Sequence, residues 1–198
     1  LVGSEMCIRD SVCTIDGQRW AVGDYEDYFC IQSCSKPLTY CMALQLNGME
    51  KVHEHIGREP SGRNFNELAL NEHGRPHNPL INAGAIMACS LVKHEEPQAD
   101  RFDYVMDIWQ QLAGGRRPGF SNATYLSEAA TADRNFCLGY MMKEKGAFPE
   151  GTNLIKTLQF YFMCCSIECS CDMLSVVAAT LANGGVCPVT SKRVFSPK

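Results

Sequence analysis

The amino end of the chain has the pattern of a small antiparallel sheet, and this pattern stops at about Ser33. Residues 11–15 and 18–22 are β-prone and flank Asp16-Gly17, a pair that favours a hairpin turn. Residues 28–32 favour one more strand. Because two hairpin strands are marginally stable alone, we expect further strands to come from the lost ends of the chain or from another chain.

The rest of the sequence has helical patterns. The first predicted helix begins near Cys34, tolerates Pro37 in its first turn and closes at Gly48. Another is expected to start near Asn82. Three apolar stripes at helical spacing predict later helices over residues 102–112, 154–165 and 172–182. Helices that follow a small sheet without strand-helix alternation indicate an α+β fold.

Composition excludes several classes of function. The 18 Lys and Arg residues against 22 Asp and Glu residues form no basic stripe, which argues against nucleic-acid binding. No apolar run approaches the roughly 18 residues that span a bilayer, so no membrane partner is expected. Most of the 12 cysteines lie in apolar stretches, which indicates a reduced interior. The spacing of Cys165 and Cys169 permits a metal ligand pair on a helix, but buried thiols explain it better, and we predict no metal site.

Ser33 and Lys36 form an S-x-x-K motif at the junction of sheet and helix. On a helix, this spacing places the lysine amine one turn from the serine hydroxyl. A lysine whose pKa is lowered can take the serine proton and make the hydroxyl a nucleophile. Ser90 and Lys93 match the same motif late in a predicted helix, where serine more often bonds back to the helix. We therefore favour Ser33, although a plain helix-start serine would explain it too.

Other polar residues have two interpretations each. Glu128 and Asn135 are seven residues apart and would face the same way on one helix, either into a ligand site or into solvent. Tyr161 lies on an apolar stripe that fits the core as well as a site. Asn82 fits a helix cap equally well.

Seven short motifs together resemble one enzyme family. They are QSCSKP (32–37), EPSG (59–62), PHNP (76–79), NAGAI (82–86), GFSN (119–122), DRNF (133–136) and ANGG (182–185). Their order and spacing resemble those of the serine-dependent glutaminases, especially the animal kidney-type and liver-type enzymes. The resemblance covers residues 11–198 and implies a partial catalytic domain, whereas residues 1–10 are expected to be a non-native leader. It also implies a serine β-lactamase-like, penicillin-binding-protein-like fold that is truncated at both ends.

The resemblance implies an amidohydrolase that converts L-glutamine and water to L-glutamate and ammonia without a metal or organic cofactor. Ser33 would form a glutamyl ester, with Lys36 as general base and acid. Asn82, Glu128, Asn135 and Tyr161 would bind the substrate together with Ser33. Because family segments are missing, we expect the 198-residue chain alone to be inactive.

Regulation and location are also implied by the resemblance alone. The long ordered loop at residues 57–81 would contain the family's allosteric loop, with Phe65 and Leu68, at the interface of a homotetramer. Phosphate would act as activator, and the location would be mitochondrial, although the chain carries no targeting segment. Two alternatives stay open. One is a non-catalytic module that assembles with full-length subunits, and the other is a β-lactamase or penicillin-binding relative.

Overall fold

A computed structural model describes residues 8–197, which form two compact units. The first unit comprises residues 8–31, 104–120 and 167–197, and the second comprises residues 32–103 and 121–166. The strands are β1 (Arg9–Cys13), β2 (Arg19–Gly23), β3 (Tyr28–Cys30), β4 (Gly119–Phe120) and β5 (Ile167–Ser170). The helices are α1 (Lys36–Asn47), α2 (Met49–His53), α3 (Asn82–Ser90), α4 (Gln98–Leu112), α5 (Asn122–Ala130), α6 (Asp133–Glu144), α7 (Leu154–Cys165) and α8 (Cys171–Ala182). These elements confirm the α+β prediction.

The predicted hairpin is present, with a longer turn than expected. β1 pairs antiparallel with β2. The Gly17 amide donates to the Thr14 carbonyl at 3.0 Å, and Gly17 has a φ of +87°, which glycine adopts without strain. A type I turn followed by such a glycine is a common three-residue hairpin loop. Two residues of the predicted leader, Arg9 and Asp10, lie in β1, whereas residues 1–7 lie outside the described part of the chain.

The predicted third strand, β3, belongs to a second sheet and not to the sheet of β1 and β2, so the expectation that the hairpin gains strands from outside the chain stays a prediction. The order of this second sheet is β3-β5-β4, with both pairs antiparallel, so β3 finds its neighbour within this sequence. β4 has two residues and β5 has four, which is too short to show strand alternation. β5 also separates α7 from α8. Cys165 and Cys169 therefore do not share one helix face, as the metal-ligand interpretation required.

The hairpin is held to α8 by a buried carboxylate. Asp172 is 6% exposed and pairs with the guanidinium groups of Arg19 and Arg116, the latter at 2.5 Å. The Ser11 hydroxyl donates to Ser175 Oγ at 3.0 Å. A buried carboxylate is tolerated when its charge is paired in this way, so this cluster fixes β1 and β2 against α8.

The second unit packs around α3 and α7. Residues 83–90 of α3 are all buried. Gly84 allows the loop before it to come close, because a Cβ there would lie 1.8 Å from the Asn78 carbonyl oxygen. Residues 57–81 form the predicted long loop, and none of these residues is helical. Its backbone bonds instead to itself, as from Gly57 N to the Pro76 carbonyl at 2.8 Å, because Gly, Pro and Asn favour turns.

One predicted helix is divided in two. Glu128 lies on α5 and Asn135 lies on α6, with a break at Thr131 and Ala132. The Thr131 hydroxyl bonds back to the Ser127 carbonyl at 3.0 Å, which closes α5. Asp133 then favours a new helix start. Among the helices of residues 8–197, none is long and apolar enough to cross a membrane.

Candidate active site

Ser33 lies in a tight turn before α1. The segment Gln32–Ser35 is a 3-10 turn, and Gln32 has a φ of +48°, an unusual value for a residue with a side chain. The Ser35 hydroxyl donates to the Gln32 carbonyl at 2.7 Å and holds this conformation. Ser33 itself is exposed, so its hydroxyl is accessible to a ligand.

Lys36 is the first residue of α1 and is buried, with 4% of its surface exposed. Its Nζ lies 2.9 Å from Ser33 Oγ and 2.8 Å from Asn82 Oδ1. Burial lowers the pKa of Lys36, against a smaller opposing effect of Cys165. At a given pH, Lys36 is therefore a neutral amine in a larger fraction of molecules than an ordinary surface lysine is. A neutral amine is what proton abstraction from Ser33 requires.

Asn82 connects Lys36 to α6. The N-cap of α3 is Ile81, so the cap interpretation of Asn82 is wrong. The backbone N–H of Asn82 donates to the Phe65 carbonyl at 2.8 Å. Its side-chain Nδ2 donates to Asn135 Oδ1 at 3.1 Å. Two of the predicted substrate-binding residues are therefore in contact, next to the Ser33–Lys36 pair.

Glu128 reaches the same turn from α5. Its Oε1 accepts a hydrogen bond from Gln32 Nε2 at 3.3 Å, and Gln32 precedes Ser33 directly. The prediction that Glu128 and Asn135 share one helix face is therefore wrong, but each contacts a neighbour of the Ser33–Lys36 pair, Glu128 through Gln32 and Asn135 through Asn82. A carboxylate and two carboxamides near one hydroxyl can hold a zwitterionic amino acid by its charged end.

Tyr161 lies on α7 and is 5% exposed. It hydrogen-bonds with Cys165, and burial raises its pKa, with Cys165 and Glu128 adding to the effect. The hydroxyl therefore stays protonated and can serve as a hydrogen-bond donor. Its burial agrees with the core interpretation, and its part in a substrate site stays a prediction.

The loop residues Phe65 and Leu68 are exposed, by 61% and 48%. The Phe65 ring centroid lies 5.4 Å from Lys36 Nζ, within the range of a cation–π contact. The loop therefore touches the site at one residue, a contact that sequence reasoning did not anticipate.

The second S-x-x-K motif has the structural role expected of it. Ser90 is fully buried, and its hydroxyl donates to the Met87 carbonyl at 2.7 Å. Lys93 instead pairs with Glu96 at 2.9 Å. Sequence reasoning assigned no role to Gln32 and Ser35, although both lie in the QSCSKP motif. Within the described residues, no three His, Cys, Asp or Glu side chains are grouped to hold a metal ion.

The sequence model of the glutaminase family matches residues 7–198. The chain belongs to the glutaminase family. This assignment sets aside the β-lactamase and penicillin-binding alternative.

The liver isoform of glutaminase from Rattus norvegicus, named mitochondrial, is 50% identical over 186 residues, which is 94% of this chain and 31% of the relative. Putative glutaminase 3 of Caenorhabditis elegans is 52% identical, over 94% of this chain and 32% of the relative.

Solved glutaminase structures share the fold. A probable glutaminase, ybaS, superposes with a TM-score of 0.87 at 33% identity and covers 96% of this chain and 60% of its own. A Bacillus glutaminase crystallised in 4.3 M NaCl gives a TM-score of 0.88 at 29% identity, over 96% of this chain and 63% of its own. The fold is thus the serine β-lactamase-like fold of the glutaminases. The chain spans 31% of the length of the rat relative.

Proposed function

We propose that this chain carries the nucleophile and the base of an enzyme that hydrolyses L-glutamine to L-glutamate and ammonia. The observation that supports it is the 2.9 Å contact between Lys36 Nζ and Ser33 Oγ in a member of the glutaminase family. Ser33 is accessible, and Lys36 is buried beside it. A serine with an adjacent base is the arrangement that covalent amide hydrolysis needs.

In the proposed reaction, Ser33 Oγ attacks the carbon of the γ-carboxamide while its proton passes to Lys36 Nζ. Lys36 then protonates the leaving nitrogen, the C–N bond breaks, and ammonia departs, leaving a glutamyl ester on Ser33. Water attacks the ester, Lys36 takes the water proton, and that proton returns to Ser33 as glutamate leaves. These steps require no metal or organic cofactor.

The charged end of the substrate is proposed to bind to the polar groups that surround the Ser33–Lys36 pair. Glu128 matches the α-ammonium group by charge, and Asn82, Asn135 and Tyr161 supply hydrogen-bonding groups. An amide without these charged groups cannot make the contacts, so the site would favour glutamine over a simple amide.

Assembly, regulation and location are further proposals. Exposed Phe65 and Leu68 support a loop that packs against another subunit, and a homotetramer activated by phosphate fits the resemblance to the animal enzymes. The mitochondrial names of the rat and mouse relatives support a mitochondrial location.

The test compares two serine substitutions in the complete natural polypeptide that carries this sequence. Ser33→Ala should abolish ammonia release from L-glutamine, whereas Ser90→Ala, the control from the matching motif, should retain most of it. Equal losses would contradict the choice of nucleophile. A folded wild-type polypeptide that releases no ammonia would overturn the proposal in favour of the non-catalytic module. The 198-residue chain assayed alone tests the expectation that it is inactive by itself.

A further inference from the structure

The Asn82 side chain is oriented by its two partners when Lys36 is an ammonium. Lys36 Nζ then donates to Oδ1 at 2.8 Å, and because an ammonium has no lone pair it requires an acceptor there. Nδ2 must then face Asn135 Oδ1, which lies 3.1 Å away and accepts from it. Asn135 thus fixes the carboxamide of Asn82 with its oxygen toward the base.

This oxygen restricts how the Lys36 amine can rotate. Among residues 8–197, Nζ donates to two acceptors, Ser33 Oγ and Asn82 Oδ1. Once Lys36 is neutral, it has two N–H groups and one lone pair. If Asn82 holds one N–H, the lone pair can turn toward the Ser33 hydroxyl at 2.9 Å, where the proton must be received.

Besides burial, Cys165 is the group that affects the pKa of Lys36. The Phe65 ring lies 5.4 Å from Nζ on the loop side. From α7, Cys165 faces Lys36, and Tyr161 hydrogen-bonds with Cys165. From α5, Glu128 faces Tyr161 and Cys165 and accepts from Gln32 at 3.3 Å. Asn82 Oδ1 is the uncharged group that accepts a hydrogen bond from Lys36 Nζ beside Ser33.

We propose that Asn82 is a positioning residue for Lys36, whose oxygen holds one N–H of Nζ so that the lone pair faces Ser33. The proposal rests on the proposed function and adds to it, because Asn82 then acts on the base as well as on the substrate. Its effect should appear in proton transfer, and not only in substrate affinity.

Asn82→Asp tests this in the complete natural polypeptide. Aspartate keeps the shape and the acceptor oxygen but places a negative charge beside Nζ, which stabilises the ammonium. We expect the acidic limb of the kcat/KM profile to move to higher pH by about one unit or more, with activity partly recovered under alkaline conditions. The control is Asn122→Asp, which adds the same charge at the exposed first residue of α5 and should leave the profile in place.

A second measurement does not depend on turnover. The ¹⁵Nζ signal of Lys36, assigned by its loss in Lys36→Met, should titrate at higher pH in Asn82→Asp than in the wild type. This keeps failure of the inference distinct from failure of the proposed function, which is judged by wild-type ammonia release. An Asn82→Asp variant with an unmoved Lys36 titration, or with a raised KM and an unmoved pH profile, would overturn the positioning role.

Discussion

Glu128 is the carboxylate that lies beside the turn carrying Ser33, through its 3.3 Å contact with Gln32. If it binds the substrate ammonium, Glu128→Gln removes the charge and keeps the shape. We expect the KM for L-glutamine to rise about 10- to 100-fold, because a hydrogen bond to a charged group contributes about 1.5–3 kcal/mol, with a smaller change in kcat. Steady-state kinetics measure both.

The control for Glu128 is Glu150→Gln, the same substitution at an exposed site. It should leave KM unchanged. If Glu128→Gln behaved like this control, Glu128 would be a solvent-facing residue with no part in binding.

Lys36 also makes stability depend on pH. Burial lowers its pKa in the folded state, so between that pKa and the ordinary value of 10.5 the unfolded chain binds the Lys36 proton more often than the folded chain does. Stability from this group therefore rises with pH across the window. Urea unfolding at increasing alkaline pH should show the wild type gaining stability relative to Lys36→Met.

Lys156→Met is the matched comparison for this measurement, because Lys156 is exposed on α7. A gain in stability that is lost with Lys36→Met and kept with Lys156→Met would assign the effect to the buried amine. A flat difference for Lys36→Met would mean that Lys36 binds its proton equally in the folded and unfolded states, contrary to the lowered pKa that its role as a base requires.

At the level of helices and strands, Gly84 and Gly139 form a matched pair of helical glycines. A Cβ on Gly84 would lie 1.8 Å from the Asn78 backbone oxygen, whereas one on Gly139 would meet the flexible end of Leu154 at 2.8 Å. We expect Gly84→Ala to lose about 2 kcal/mol or more and Gly139→Ala to stay within about 1 kcal/mol of the wild type, since alanine favours helices. Urea unfolding measures both, and equal losses would contradict the close approach of loop and α3.

Local signals predicted the elements that have clear local causes. Gly48 ends α1, and residues 183–185 follow the end of α8, as their sequence indicated. β4 and β5 were missed because their pairing is decided by tertiary contacts and not by alternation. The break at Thr131 was missed because a threonine side chain that bonds back to its helix leaves no pattern in the sequence.

In the candidate site, too, local patterns were predictable and tertiary contacts were not. The S-x-x-K spacing predicted that Ser33 and Lys36 lie side by side, and their side chains are 2.9 Å apart. The contacts of Gln32 with Glu128 and of Phe65 with Lys36 join segments that are far apart in sequence. Spacing alone carries no information about such contacts.

For the whole molecule, the outer face of the hairpin predicts association. Val12, Trp20 and Val22 are 52%, 59% and 46% exposed on one side of β1 and β2. We expect the 198-residue chain alone to self-associate, and a Val12→Thr/Trp20→Thr double substitution to reduce this, because exposed apolar strands pair with one another. Light scattering after size exclusion measures the mass. Loss of association with the control Leu126→Gln, and not with the double substitution, would place the contact on α5 instead.

The most direct measurement is the peptide mass of the enzyme quenched in acid during turnover of an activated γ-glutamyl ester. Such a substrate makes formation of the enzyme ester faster than its hydrolysis, so the intermediate accumulates. We predict a glutamyl group on the peptide that contains Ser33, and none when Ser33 is replaced by alanine. Turnover with no adduct on Ser33, or with the glutamyl group on a different residue, would contradict the mechanism.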